Sequence, residues 1–188
     1  MYPHKNTPAH HRFRHAEDWL VSRYMMDHAI RAIKKRARVD RKHDIPYLAG
    51  YSVDGKTIYI DRHMPKTFVY KGRRINTDRF LLMHEAVEKA LIQLLGLHYQ
   101  HAHQIALRAE QAAVRAEDVH WTDYDDFMQR YIKTIGDERV TKVPVDLDET
   151  PYRDERDFAL LRRMKLSQDN ASLYTRRRGR QTQGRIQK

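Results

Sequence analysis

Apolar positions change their spacing several times along the chain, and each change marks an expected element. Between Ala16 and Val39 the apolar residues Leu20, Tyr24, Ile30, Ile33 and Ala37 recur at helical spacing, which predicts a helix over residues 16–39. From Tyr47 the period shortens. Tyr47-Leu-Ala-Gly-Tyr-Ser and Thr57-Ile-Tyr-Ile-Asp61 flank Asp54-Gly55, two turn residues that tolerate positive φ, and so predict a β-hairpin. Phe68-Val-Tyr70 and Arg73-Arg-Ile75 around Lys71-Gly72 predict a second hairpin, with Pro65 breaking any continuous strand between the two.

From Thr77 the helical period returns. Thr77 is placed to cap, and Phe80, Leu81, His84, Val87, Glu88, Leu91 and Leu95 fall on or near one face, with Gly96 ending the helix. A second helix is expected over residues 100–117, with His103, Ala106, Leu107, Glu110 and Val114 on its inner stripe. A third is expected over residues 122–135, opened by Thr122, with Tyr124, Phe127, Met128, Tyr131 and Ile135 apolar. The acidic stretch after Gly136 contains Pro144 and Pro151 and reads as an extended segment wrapping the domain; residues 155–166 suit a short helix. The expected fold is therefore α+β and mainly helical: a small β-hairpin region packed beside a central antiparallel helical hairpin.

Composition bounds this picture. A chain of 188 residues with 32% charged side chains supports one domain, set at residues 16–166, between a flexible His-rich arm (1–15) and a disordered basic tail (167–188). The formal charge of +11 favours contact with phosphates or anionic surfaces. The absence of cysteine excludes disulfides, thiolate metal sites and a cysteine nucleophile, so any metal needs His, Asp or Glu, donors that suit zinc, iron or manganese. No window is apolar enough for a bilayer and the N-terminus lacks a signal-peptide core, which points to a cytoplasmic protein, or a virion-associated one if phage-encoded. Seven glycines, with no phosphate-cradling loop and no Gly-x-Ser-x-Gly elbow, argue against a nucleotide site and a serine hydrolase.

Candidate chemistry gathers on residues 77–118. His84 and Glu88 stand one helical turn apart, about 6 Å along the axis, among Leu81, Val87 and Leu91, so both face the interior, where an imidazole and a carboxylate need partners. If the chain reverses near Gly96-Leu97, Glu88 comes to lie opposite His103, and His84 opposite Glu110. Two imidazoles and two carboxylates then meet inside the hairpin.

Met83-His-Glu-Ala-Val-Glu88 resembles the active helix of zincin metallopeptidases, whose pattern is His-Glu-x-x-His. The resemblance runs over residues 57–118, with the strand at 57–61 standing beside the helix. It implies a metal-dependent hydrolase acting on protein or peptide: His84 as first ligand, Glu85 as general base, and Tyr99 as a support for developing negative charge. Glu88 departs from the family, standing where the second His belongs. A carboxylate also binds zinc, so His84, Glu88 and His103 make a His-Glu-His set, with Glu110 as fourth ligand or partner of a ligand. His98 or His101 would replace His103 if the register slipped by a turn, and Asp61 with His63 could reach the mouth of the cleft.

Other readings stay open. The same four residues suit a buried hydrogen-bonded network without metal. A di-iron carboxylate bundle wants Glu-x-x-His on two helices, and only Glu117-x-x-His120 has that spacing. A basic nucleic-acid-associated or phage virion structural protein would use Arg31, Lys34, Lys35, Arg36 and Arg38 together with the arginine tail at Arg176–Arg178, Arg180, Arg185 and Lys188.

Overall fold

A computed structural model describes residues 27–28, 31–137 and 140–183, with residues 136, 137 and 171–183 described in backbone only. The expected arm at 1–15, the start of the expected first helix, residues 184–188 and the arginine side chains of the tail lie outside the described residues. The fold is α+β and mainly helical.

The expected helix over 16–39 ends early. Residues 31–36 are helical, and Ala37 N–H closes the last turn on Ile33 O. Arg38–Asp40 is instead strand β1, parallel to Thr57–Ile60 (β3), with Arg38 paired to Thr57 and Val39 to Ile58. Ala49–Tyr51 (β2) runs antiparallel on the other side of β3, giving the sheet order β1-β3-β2. The β2–β3 turn is the expected one, with Gly55 at φ 68°. A Cβ there would also meet Lys89 Cε at 3.3 Å, so the position needs glycine for space as well as for conformation. The second expected hairpin forms from Thr67–Tyr70 (β4) and Arg73–Asn76 (β5).

Helix α1, Asp78–Leu95, and helix α2, Tyr99–Arg115, form the antiparallel hairpin. Gly96 ends α1 in the left-handed conformation, its N–H bonded to Ile92 O. Thr77 does not cap: its hydroxyl donates to Pro65 O at 2.7 Å, and Asn76 Oδ1 accepts the Asp78 N–H instead. Leu95, expected on the inner face, is exposed with Leu94 at the end of the hairpin where the two helices are joined. Val87 and Leu91 pack on Ala102 and Ala106, both 0% exposed, and the small residues let the two backbones approach closely.

Helix α3, Trp121–Asp137, closes the main core through Tyr124, Met128 and Ile135 against Phe68, Tyr70, Phe80 and Leu81. The segment before Thr150 wraps the sheet as expected. It bridges β2 at Ser52–Leu147, and Asp44 accepts the N–H groups of Thr141 and Lys142. Helix α4, Thr150–Asp154, and helix α5, Phe158–Gln183, follow. The domain therefore does not stop at residue 166: Ser167 and Gln168 are buried within α5, where Ser167 Oγ accepts the Val143 N–H and Gln168 Nε2 donates to Pro144 O. The extra buried surface against this wrapping segment explains why a helix continues where composition alone pointed to disorder. No described helix is long and apolar enough to cross a membrane.

Candidate metal centre

Helix α1 delivers His84, Glu85 and Glu88, and α2 delivers His103 and Glu110. The hairpin register is the one expected: His103 Nδ1 lies 3.1 Å from Glu88 Oε2, and His84 Nδ1 lies 2.8 Å from Glu110 Oε2. His84, Glu85, Glu88 and Glu110 are all buried, while His103 keeps 36% of its side chain exposed and marks the solvent side.

His84 Nε2, Glu88 Oε2 and His103 Nδ1 form a triangle with edges of 3.1, 3.1 and 3.5 Å. Ligands at about 2.0–2.1 Å from a tetrahedral zinc stand about 3.4 Å apart, so one ion fits over this triangle. These three residues could hold a metal ion. Glu110 is not the fourth corner. It lies on the opposite edge of the His84 ring and accepts the Nδ1–H, which leaves the Nε2 lone pair directed at the other two donors. Its second oxygen accepts the Tyr124 hydroxyl at 2.7 Å, so α3 fixes the carboxylate that fixes the imidazole. Tyr124, expected as plain core, is both core and support.

The cluster carries surplus negative charge. Glu85, Glu88 and Glu110 share it with two imidazoles, and among the described residues no Lys or Arg pairs with any of the three. Burial opposes a charged ring at His84, but the carboxylates of Glu110 and Glu88 outweigh it and raise its pKa to about 10. Burial would raise Glu88, yet the hydrogen bonds from His103 and His84 hold it below the ordinary carboxylate range. Glu85 goes the other way: burial first, then the Glu88 carboxylate, push it well above that range. Such a site demands a cation, either protons or a metal.

Glu85 makes no hydrogen bond and borders a cavity of about 190 Å³ next to the triangle, shared with Tyr51, Tyr99 and Tyr152. Glu85 is thus a buried carboxyl with a raised pKa and open space before it. The Tyr99 hydroxyl is 3.4 Å from His103 Nδ1, at the cavity wall. The rim includes Tyr47 and Leu48 at φ 62° and 74°, two consecutive non-glycine residues in the left-handed region, held by the bonds from Ile45 N–H to Asp61 Oδ2 and from Asp61 N–H to Leu48 O.

Other sequence candidates fall elsewhere. His101 is exposed, and His98 accepts the Gln100 N–H at the start of α2; neither reaches the triangle. Asp61 accepts the N–H groups of Ile45 and His63 and borders a separate cavity with Asp44, not the mouth of this one. Glu117 pairs with Arg79 on the surface, far from a bundle core, and His120 is exposed, so the di-iron arrangement is not built. No sequence signal marked Tyr51 or Lys89, whose surroundings are set by distant segments. No known protein family, curated protein or solved structure matches the chain.

Proposed function

We propose that the protein is a metal-dependent hydrolase of amide bonds, with a divalent cation, zinc above others, on His84, Glu88 and His103. The observation that carries this reading is the triangle of donor atoms at tetrahedral spacing, with the far nitrogen of His84 fixed by Glu110. Two imidazoles and one carboxylate are a donor set that zinc accepts, and three protein ligands leave a coordination position free. A cation held there supplies Lewis acidity and lowers the pKa of water it binds.

The chain's own residues do the rest. Glu110, steadied by Tyr124, keeps the His84 ring in one tautomer. Glu85 accepts a proton from the attacking water and returns it to the leaving nitrogen. Its place beside the first ligand, the absence of a hydrogen-bond partner and the open space before it support that role. The outer strand β2 of the three-stranded sheet lines the same cavity.

The test is metal content and hydrolysis of an unlabelled protein such as casein by the full-length chain and two variants. One equivalent of metal is expected in the wild type and in Glu85→Gln, and loss of it in His84→Ala. Glu85→Gln should cut turnover by about 10²–10⁴-fold. Equal metal loss in the two variants, or a wild-type protein that retains none after dialysis against zinc, rejects the reading.

A further inference from the structure

The cavity beside the triangle and the chain as a whole have opposite electrical character. The chain carries a formal charge of +11, yet the cavity is lined by five carboxylates, Glu85, Glu88, Glu110, Asp125 and Asp148, and by no described lysine or arginine. Asp148 is neutralised by Lys89 Nζ at 3.1 Å. Even leaving Glu85 out, Glu88, Glu110 and Asp125 outnumber the two charges of a divalent cation, so the space stays negative with the triangle loaded. The facing wall is mostly apolar, with Asp125 its charged member. Trp121, Asp125, Met128 and Ile132 recur at steps of three and four, so one face of α3 forms it, continued by Leu81 and Leu107.

Besides the Glu85 carboxyl, the Tyr51 hydroxyl stands out in this lining. The Tyr51 hydroxyl is buried, in a residue 2% exposed, and closes no hydrogen bond of normal geometry, although the Glu88 carboxylate lies near it. The hydroxyls of Tyr99, Tyr124 and Tyr152 each have one. Lys89 Nζ sits 4.4 Å over the centre of the Tyr51 ring and β2 fixes its backbone, so the hydroxyl is held in place rather than free to find an acceptor elsewhere. A phenol is protonated near neutral pH, so the hydroxyl is a donor. A buried O–H without an acceptor is a standing cost that a ligand oxygen removes.

We propose that the cavity takes neutral or cationic acyl compounds in preference to anionic ones, the carbonyl oxygen received by the Tyr51 hydroxyl and an apolar side chain laid against α3. This rests on reading the cavity as the hydrolase's substrate site and adds its selectivity. A free carboxylate beside the carbonyl would meet Glu85 and Glu88 in a poorly screened space; a primary amide would not, and an amine would gain from Asp125.

The test is an NMR titration of the full-length protein, with and without a chelator, using N-acetylphenylalaninamide, phenylalaninamide and N-acetylphenylalanine. The two amides are expected to shift resonances of Ala49–Tyr51 and of the α3 face, and the acid to bind at least about tenfold more weakly. Tyr51→Phe should weaken N-acetylphenylalaninamide by about tenfold while its melting temperature is no lower than the wild type's, because the hydroxyl supports no bond within the fold. Equal or tighter binding of the acid, full affinity in Tyr51→Phe, a lower melting temperature in that variant, or no binding of any probe overturns the proposal. Amide binding that survives the chelator stands even if the protein proves to hold no metal, so the two failures are distinguishable.

Discussion

Glu88 and Lys89 are neighbours in the chain, both are buried, and they meet opposite fates. Their side chains leave α1 about 100° apart. Lys89 goes toward the segment that wraps the sheet and finds an opposite charge in Asp148, a carbonyl in Val53 and the face of the Tyr51 ring. Every charge there is answered within the fold. Glu88 goes toward α2 and joins His84, His103, Glu85 and Glu110, where carboxylates exceed fixed cations. Matched burial builds the fold; unmatched burial leaves a vacancy of charge that chemistry can fill.

That contrast can be broken from either side. The largest effect belongs to Lys89→Ala, which strands Asp148 and should cost about 3–5 kcal/mol of stability in a urea titration. Metal affinity per folded molecule should hardly change; a variant as stable as the wild type would show that the pair does not secure the wrapping segment. Glu110→Gln reverses the pattern. It keeps an acceptor for His84 Nδ1–H but loses the carboxylate, so zinc affinity by competition with a chelator should fall about 10–100-fold, with little change in melting. An unchanged affinity would assign Glu110 to the fold alone.

A smaller effect sharpens the matched side. Asp44 is buried, which alone would raise its pKa, but the Thr141 N–H and hydroxyl, the Lys142 N–H and Arg62 outweigh burial and hold it below its ordinary 3.8. A carboxyl lowered on folding adds stability that is complete above the unfolded value and is lost as pH falls through the folded one. Asp44→Asn should therefore cost about 1 kcal/mol near neutral pH, and the gap to wild type should close as pH drops below 3.8. A gap constant with pH would mean that the charge is irrelevant and only shape matters.

The elements with local signals were legible. Asp54-Gly55, the apolar stripe of α1 and Gly96 each carry their instruction within a few residues, and the hairpin they define was enough to bring His84, Glu88, His103 and Glu110 together. What was not legible depends on distant partners. β1 looked like the end of a basic helix because its reason for being a strand, parallel pairing with β3, lies across a long connection. The continuation of α5 past residue 166 depends on Ser167 and Gln168 meeting Val143 and Pro144. Glu110 was within reach as a ligand or as a support, and only the side of the imidazole it touches decided between them. Tyr51 and Lys89 had no pattern to announce them.

The short link through Gly96 has a kinetic consequence. His84, Glu88, His103 and Glu110 belong to one local hairpin, α1 and α2, so little loop entropy opposes their meeting. Asp148, Pro151 and Tyr152, which complete the cavity, come from much later in the chain and dock across a large sequence separation. Closing the helical hairpin and docking the later segment therefore differ widely in the loop entropy each must overcome.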